Sequence, residues 1–170
     1  MPKPRKFVRK VQVCIDDEGI LPCKGSEAAA GLDLYTPVDI TIEPNCFQKV
    51  DIKVSFAIPT GFYGKIFDRS SIAAQGVTVL AGVIDSDYRG NVSILLHNLS
   101  DSPKLFARYT RIAQLILCPY LISELVPVQQ ENLGKTKRGR GGFGSTGQTK
   151  IIPPRDMSPE RSSSESNSSE

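Results

Sequence analysis

Apolar and polar positions alternate with a period of two over several short stretches of the chain. Val50, Ile52 and Val54 are separated by Asp51 and Lys53, and Val38, Ile40 and Ile42 repeat the spacing. A period of two fits a strand with one face buried and one wet. Further strands are predicted over 8–15, 62–67, 77–80, 91–97, 111–118 and 120–126. Glycine and proline punctuate them, at Gly19, Pro22, Pro37, Pro44, Pro59, Gly61, Gly76, Gly90, Pro103, Pro119 and Pro127 among others. Only one short helix is predicted, near 70–75. Many short strands without a long 3.6-residue periodicity predict an all-β sandwich, jelly roll or barrel. No internal repeat is seen.

Two segments leave this pattern. Residues 134–147 are rich in glycine and basic residues, with Phe143 as the single aromatic. Such a stretch cannot pack a core and is expected to be an arm that orders on a ligand. In residues 158–170, seven of thirteen are serine. The segment 151–170 is therefore expected to be a disordered tail. The expected organisation is a core over 1–133 with a basic N-terminal segment, an arm over 134–150, and the tail.

Composition narrows the classes. A length of 170 residues suits one domain, and 39% hydrophobic residues is low enough to imply unpacked chain. The net charge of +3 argues neither for nor against a nucleic-acid partner; none is expected. Cys14, Cys23, Cys46 and Cys118 form no C-x-x-C pair and there is one histidine, so a zinc site is not expected and the thiols suit a reducing compartment. No apolar run reaches membrane-spanning length, and no apolar stretch follows the basic N-terminus as in a signal peptide. The run Pro2-Lys3-Pro4-Arg5-Lys6 suits nuclear import, so cytoplasm or nucleus is the expected location.

Five groupings could carry chemistry, and each has a plain alternative. In Gly82-Val83-Ile84-Asp85-Ser86-Asp87-Tyr88-Arg89-Gly90, a carboxylate could activate a water and a tyrosine ring could stack on a sugar; the alternative is a polar turn. In Asp68-Arg69-Ser70-Ser71-Ile72-Ala73, an arginine precedes hydroxyl residues at a helix start, which suits phosphate; the alternative is an ordinary cap. Arg138 to Gly147 offers close backbone approach, charge, hydroxyl donors and the Phe143 face; the alternative is a flexible linker. Asp33 lies in the apolar run Ala28 to Tyr35 and needs a partner or a cation. Arg111 and Gln114 interrupt an apolar strand and need partners too. His97 stands alone beside an apolar strand and is expected to be structural.

The order of these groupings, A-G-L-D-L-Y, R-S-S-I-A, G-V-I-D-S-D-Y-R-G, R-I-A-Q-L-I and R-G-R-G-G-F-G-S-T-G, resembles the five ordered motifs of the trimeric dUTPase family over residues 28–147. That resemblance implies a jelly-roll-like β-barrel that assembles as a homotrimer, with each active site drawn from three chains. It implies Mg²⁺-dependent hydrolysis of dUTP to dUMP and pyrophosphate, which lowers dUTP for DNA synthesis and supplies dUMP for dTMP synthesis. Asp85 would activate the water that attacks the α-phosphorus, and Tyr88 would pack on the deoxyribose and exclude a 2′-hydroxyl. Backbone from Leu80 to Ile84, including Gly82, would read uracil. Arg69, Ser70 and Ser71 would hold phosphates. Gln114 and Asp33 would act through water around a Mg²⁺ chelated by the triphosphate. Phe143 would stack on uracil while Arg138, Gly144, Ser145 and Thr146 close over the γ-phosphate. Asp68 departs from the family, where a small residue or proline is usual; it is expected to point away from the phosphates or to pair with a base. Rival readings are a dCTP deaminase of the same fold, an inactive nucleotide-sensing relative, and an RNA-binding module built on 135–142. The chain could be cellular, or viral and active in a host cell.

Overall fold

A computed structural model describes residues 10–142; Phe143, Gly144, Ser145, Thr146 and the tail lie outside the described residues, as do residues 1–9. The chain divides into two compact units between Glu124 and Leu125. In the second, the described residues form no strand and carry a 3-10 turn at Gln130–Leu133 and turns near Thr136 to Gly141.

The first unit is nearly all β. Its strands are β1 (Gln12–Ile15), β2 (Leu32–Tyr35), β3 (Ile40–Ile42), β4 (Phe47–Asp51), β5 (Val54–Ala57), β6 (Phe62–Phe67), β7 (Val77–Leu80), β8 (Val83–Ile84), β9 (Ser93–Asn98), β10 (Lys104–Phe106) and β11 (Arg111–Pro119), and its helix is α1 (Ser70–Ala73). Pairing is antiparallel throughout. The strand orders are β2-β11-β6-β8, β4-β9-β7, β1-β5 and β10-β3. Among the described residues no ladder closes these four sheets into one continuous barrel.

The core consists of alternate strand residues. Leu34, Val54, Ile94, Leu96 and Ile112 are fully buried, and Ile42, Val77, Val92 and Leu115 nearly so. At roughly 25 cal/mol per Å² of apolar area, one such side chain contributes about 1.5–3 kcal/mol. Two buried polar side chains are fully satisfied. Thr36 donates to the Val38 carbonyl at 2.6 Å, and Asn98 donates to the Ile42 and Ser102 carbonyls while accepting from Ser100.

Three expectations need correction. Val50, Ile52 and Val54 are all buried, but they do not form one strand. Lys53 takes a left-handed conformation (φ 59°), and the chain kinks there to leave the β4-β9 ladder and pair with β1. Val92 bridges the kink by accepting from Ile52 N–H at 3.1 Å and donating to the Val54 carbonyl at 2.8 Å. Val38 is not in a strand; it lies half exposed in the turn held by Thr36. Residues 120–126 form no strand, and Leu121 and Ile122 are largely exposed. Alternating apolarity shows what can be buried, whereas a strand also needs a partner edge within reach.

Candidate active site

The segment from Ala81 to Asn91 joins β7 to β9, which pair antiparallel with each other, so it is the end of a long hairpin. Within it the chain detours through β8, which pairs with β6 in a different sheet. Ala81 (φ 60°) and Gly82 (φ 87°) turn the chain between sheets. The turn is pinned to β6: Ile66 N–H donates to the Gly82 carbonyl and Lys65 Nζ to the Ala81 carbonyl, both at 2.8 Å. A Cβ at position 82 would lie 2.9 Å from the Ile66 carbonyl oxygen, so only glycine fits the left-handed turn against that backbone.

Beyond β8 the chain forms a tight loop. Tyr88 N–H donates to the Asp85 carbonyl, and Arg89 Nη1 donates to the Ser86 and Tyr88 carbonyls at 2.7 and 2.8 Å. The loop therefore has its own rigid frame. Ile84, Asp85 and Tyr88 line one concavity of about 260 Å³ together with Lys49, Val83, Asn91, Val92 and Ser93. Asp85 is exposed, and the Tyr88 ring is open to solvent over 44% of its surface. A carboxylate beside a half-exposed aromatic ring in a small cleft can hold a water against a bound sugar phosphate. Lys49 in this lining was missed by the sequence reading; its place depends on the β4-β9 pairing, which no local motif reports.

A second cleft, of about 390 Å³, collects the other motifs. It is lined by Gly25, Ala29, Gly31, Asp33, Arg69, Ser70, Ser71, Arg111 and Gln114. The middle strand β11 carries Gln114 between Asp33 of β2 and Phe67 of β6. The Asp33 carboxylate is nearly buried and accepts from Arg69 Nε at 2.8 Å through one oxygen and from Arg111 Nη1 at 3.0 Å through the other. Arg69 also donates from Nη1 to the Arg111 carbonyl at 3.1 Å. The partners that Asp33 and Arg111 require are thus each other and Arg69. Arg69 is the cap of α1, and the Ser70 and Ser71 N–H groups at that helix start donate to no protein acceptor among the described residues. Free N–H groups, two hydroxyls and a fixed guanidinium suit an anion.

Gln114 donates from Nε2 to the Asp68 carbonyl at 2.8 Å, which leaves its Oε1 as an acceptor facing the cleft residue Gly31. Asp68 points away from this cleft. Its side chain accepts from the Val79 N–H and from the Thr78 hydroxyl, so it ties the start of α1 to β7. Of its two expected outcomes the first holds, with neutral donors in place of a base.

The two clefts lie at opposite edges of one sheet, because Asp33 is on β2 and Asp85 follows β8 in the order β2-β11-β6-β8. The row Asp33–Gln114–Phe67 is also offset by three residues from the row Leu117–Gly64–Ile84. Three strand spacings of ~4.8 Å and three residues of ~3.3 Å rise separate the sites by roughly 17 Å. Arg138, in the second unit, donates from Nε to the Gly141 carbonyl at 2.8 Å. Among the described residues no three His, Cys, Asp or Glu side chains converge to hold a metal ion, and the four cysteines are unpaired. No helix among them is long and apolar enough to cross a membrane.

The dUTPase family model matches residues 17–147. The deoxyuridine 5′-triphosphate nucleotidohydrolase of Candida albicans is 41% identical over 131 residues, covering 76% of this chain and 82% of that protein. That of Fowl adenovirus A serotype 1 is 40% identical over 148 residues, covering 86% and 80%. A solved Staphylococcus bacteriophage 80alpha dUTPase, the G164S mutant with dUpNHpp, shares the fold with a TM-score of 0.76 over 83% of this chain and all of that one, at 24% identity. The order of motifs, the two clefts and these likenesses together show that the chain belongs to the dUTPase family.

Proposed function

We propose that this chain hydrolyses dUTP to dUMP and pyrophosphate, and that the carrying observation is Asp85 standing exposed beside Tyr88 at the mouth of the β8–β9 loop. The Asp85 carboxylate accepts a proton from the water that attacks the α-phosphorus, and pyrophosphate leaves. The ring of Tyr88 covers the deoxyribose where a 2′-hydroxyl would stand. The pinned backbone of Gly82 to Ile84 reads the uracil edge. Arg69, Ser70 and Ser71 hold phosphates in the second cleft, with Arg69 aimed by Asp33.

Mg²⁺ fits this donor set as a companion of the triphosphate, because it keeps water and phosphate oxygens in preference to an all-protein cage. When bound, it would neutralise phosphate charge. Gln114 Oε1 remains an acceptor for its water, while both Asp33 oxygens already accept from guanidinium groups, so Asp33 acts mainly by positioning Arg69.

The distance between the clefts supports a site shared between neighbouring copies, as in the homotrimer that membership of this family implies. A water on the α-phosphorus and the neighbouring phosphates cannot reach both edges of one sheet, so Asp85 of one copy works with Arg69 of another. The exposed Leu121 and Ile122 support burial between copies. The third copy supplies the arm 134–150, in which Arg138, Phe143, Gly144, Ser145 and Thr146 close over base and γ-phosphate. The core 1–133, this arm and the tail 151–170 are the functional divisions, and cytoplasm or nucleus is the place of action.

The test is pyrophosphate release with Mg²⁺ from dUTP, dTTP, dCTP and UTP side by side, with ammonia followed in the dCTP sample. Release from dUTP alone is expected. Ammonia from dCTP would assign a deaminase instead, and silence with all four would leave a binding protein.

A further inference from the structure

The hydroxyl of Tyr88 donates to the backbone carbonyl of Asn91 at 2.9 Å. That carbonyl belongs to a residue held from both sides. Asn91 Oδ1 accepts from Ser55 Oγ at 2.8 Å, and Asn91 Nδ2 donates to Asp16 Oδ2 at 2.6 Å. Ser55 is on β5 and pairs in register with Cys14 of β1, and Asp16 follows β1 directly, with its N–H on the Lys53 carbonyl at 3.0 Å. The next residue, Val92, is fixed to Ile52 and Val54 across the kink. None of these anchors belongs to the five motifs, and they come from sequence positions 75 and 36 residues before Asn91.

Tyr88 is nearly half exposed, and its phenol end lies close against the backbone of Gly90. An aromatic side chain turning about two bonds can tilt aside for one extra oxygen atom unless its far end is tied. A site rejects a slightly larger substrate only as firmly as its wall resists displacement. We propose that Ser55 and Asp16, acting through Asn91, are positioning residues that fix the Tyr88 ring and thereby set the discrimination against ribonucleotides. The proposal rests on the reading of Tyr88 as the sugar-contacting residue.

The experiment compares kcat/KM for dUTP and for UTP in the full-length protein and in Ser55→Ala, Asp16→Ala, their double variant, Asp16→Asn and Tyr88→Ala. The dUTP/UTP ratio should fall by about tenfold in the double variant and less in each single one, chiefly because UTP turns over better. Asp16→Asn keeps an acceptor oxygen and should hold the ratio near that of the unaltered protein. A purely structural role would lower both activities together and leave the ratio fixed. A ratio unchanged in the anchor variants but collapsed in Tyr88→Ala overturns the anchoring and spares the role of Tyr88. An unchanged ratio in Tyr88→Ala overturns both. If the double variant fails to fold, the single variants decide by the same criterion.

Discussion

Arg69 donates from Nε to Oδ1 of Asp33 at 2.8 Å, a charge-assisted bond in which the arginine side chain is 23% exposed and the carboxylate 12%. The pair joins the start of α1 to the edge strand β2 and sets the direction of the guanidinium. Asp33→Asn should therefore damage phosphate binding without touching the nucleotide itself. One oxygen survives, but an amide N–H₂ then faces a guanidinium. The expected stability loss is about 1–3 kcal/mol. The expected fall in kcat/KM for dUTP is about 10–100-fold, mostly through KM. Urea unfolding and steady-state kinetics check the two; full activity would show that Arg69 needs no such guide.

Asp85→Asn separates chemistry from binding. The amide is the same size, accepts no proton and removes no contact to the phosphate cleft at the other sheet edge. Turnover should drop by about 10²–10⁴. Affinity for an imido analogue of dUTP should change little, which calorimetry can follow. Normal turnover would move the proton acceptor to another residue.

The motif residues were legible because their chemistry is local in sequence: Asp85 and Tyr88 share one loop, and Arg69, Ser70 and Ser71 one helix start. Partners were not. That Asp33 needed a counter-charge could be read from its apolar neighbours, but that Arg69 and Arg111 both supply it depends on strand order. The burial of Val50, Ile52 and Val54 followed from alternation, while the kink at Lys53 depends on which edge β1 occupies. Asp16 and Ser55 carried no signal, since an exposed acid and a strand serine are ordinary until Asn91 is placed between them.

Acid should weaken a small part of the fold in a defined direction. Burial pushes the Asp51 carboxyl upward, but the Lys53 backbone N–H at 2.9 Å and its ammonium at 3.1 Å outweigh burial and hold the carboxyl below its ordinary 3.8. A group depressed on folding stabilises above its unfolded value and loses that contribution as pH falls through the folded one. The side chain is 41% exposed, so the effect is about 0.5–1 kcal/mol at neutral pH. Asp51→Asn should be less stable than the unaltered protein at pH 7, and the gap should shrink below pH 3.8. Urea midpoints across that window measure it; a gap that widened toward acid would contradict the pairing.

The placement of Asp33 and Asp85 at opposite edges of β2-β11-β6-β8 makes a prediction that no single variant can test. On the roles proposed above, Arg69→Ala disables the phosphate cleft of its own chain, and Asp85→Asn disables the water-activating cleft of its own chain. Each variant alone should be nearly inactive. When the two are unfolded together in equal amounts and refolded, a site that takes Asp85 from one copy and Arg69 from its neighbour is restored. With independent neighbours, about a quarter of the sites regain both groups. Activity of about that fraction should appear in the mixture and be absent when the variants are refolded apart and then combined without exchange. If both groups of one site came from the same chain, no mixture could be active, because every chain carries one lesion. Recovery therefore depends on the geometry of the sheet and on assembly together, and its absence in a mixture shown to contain mixed oligomers would falsify the shared site.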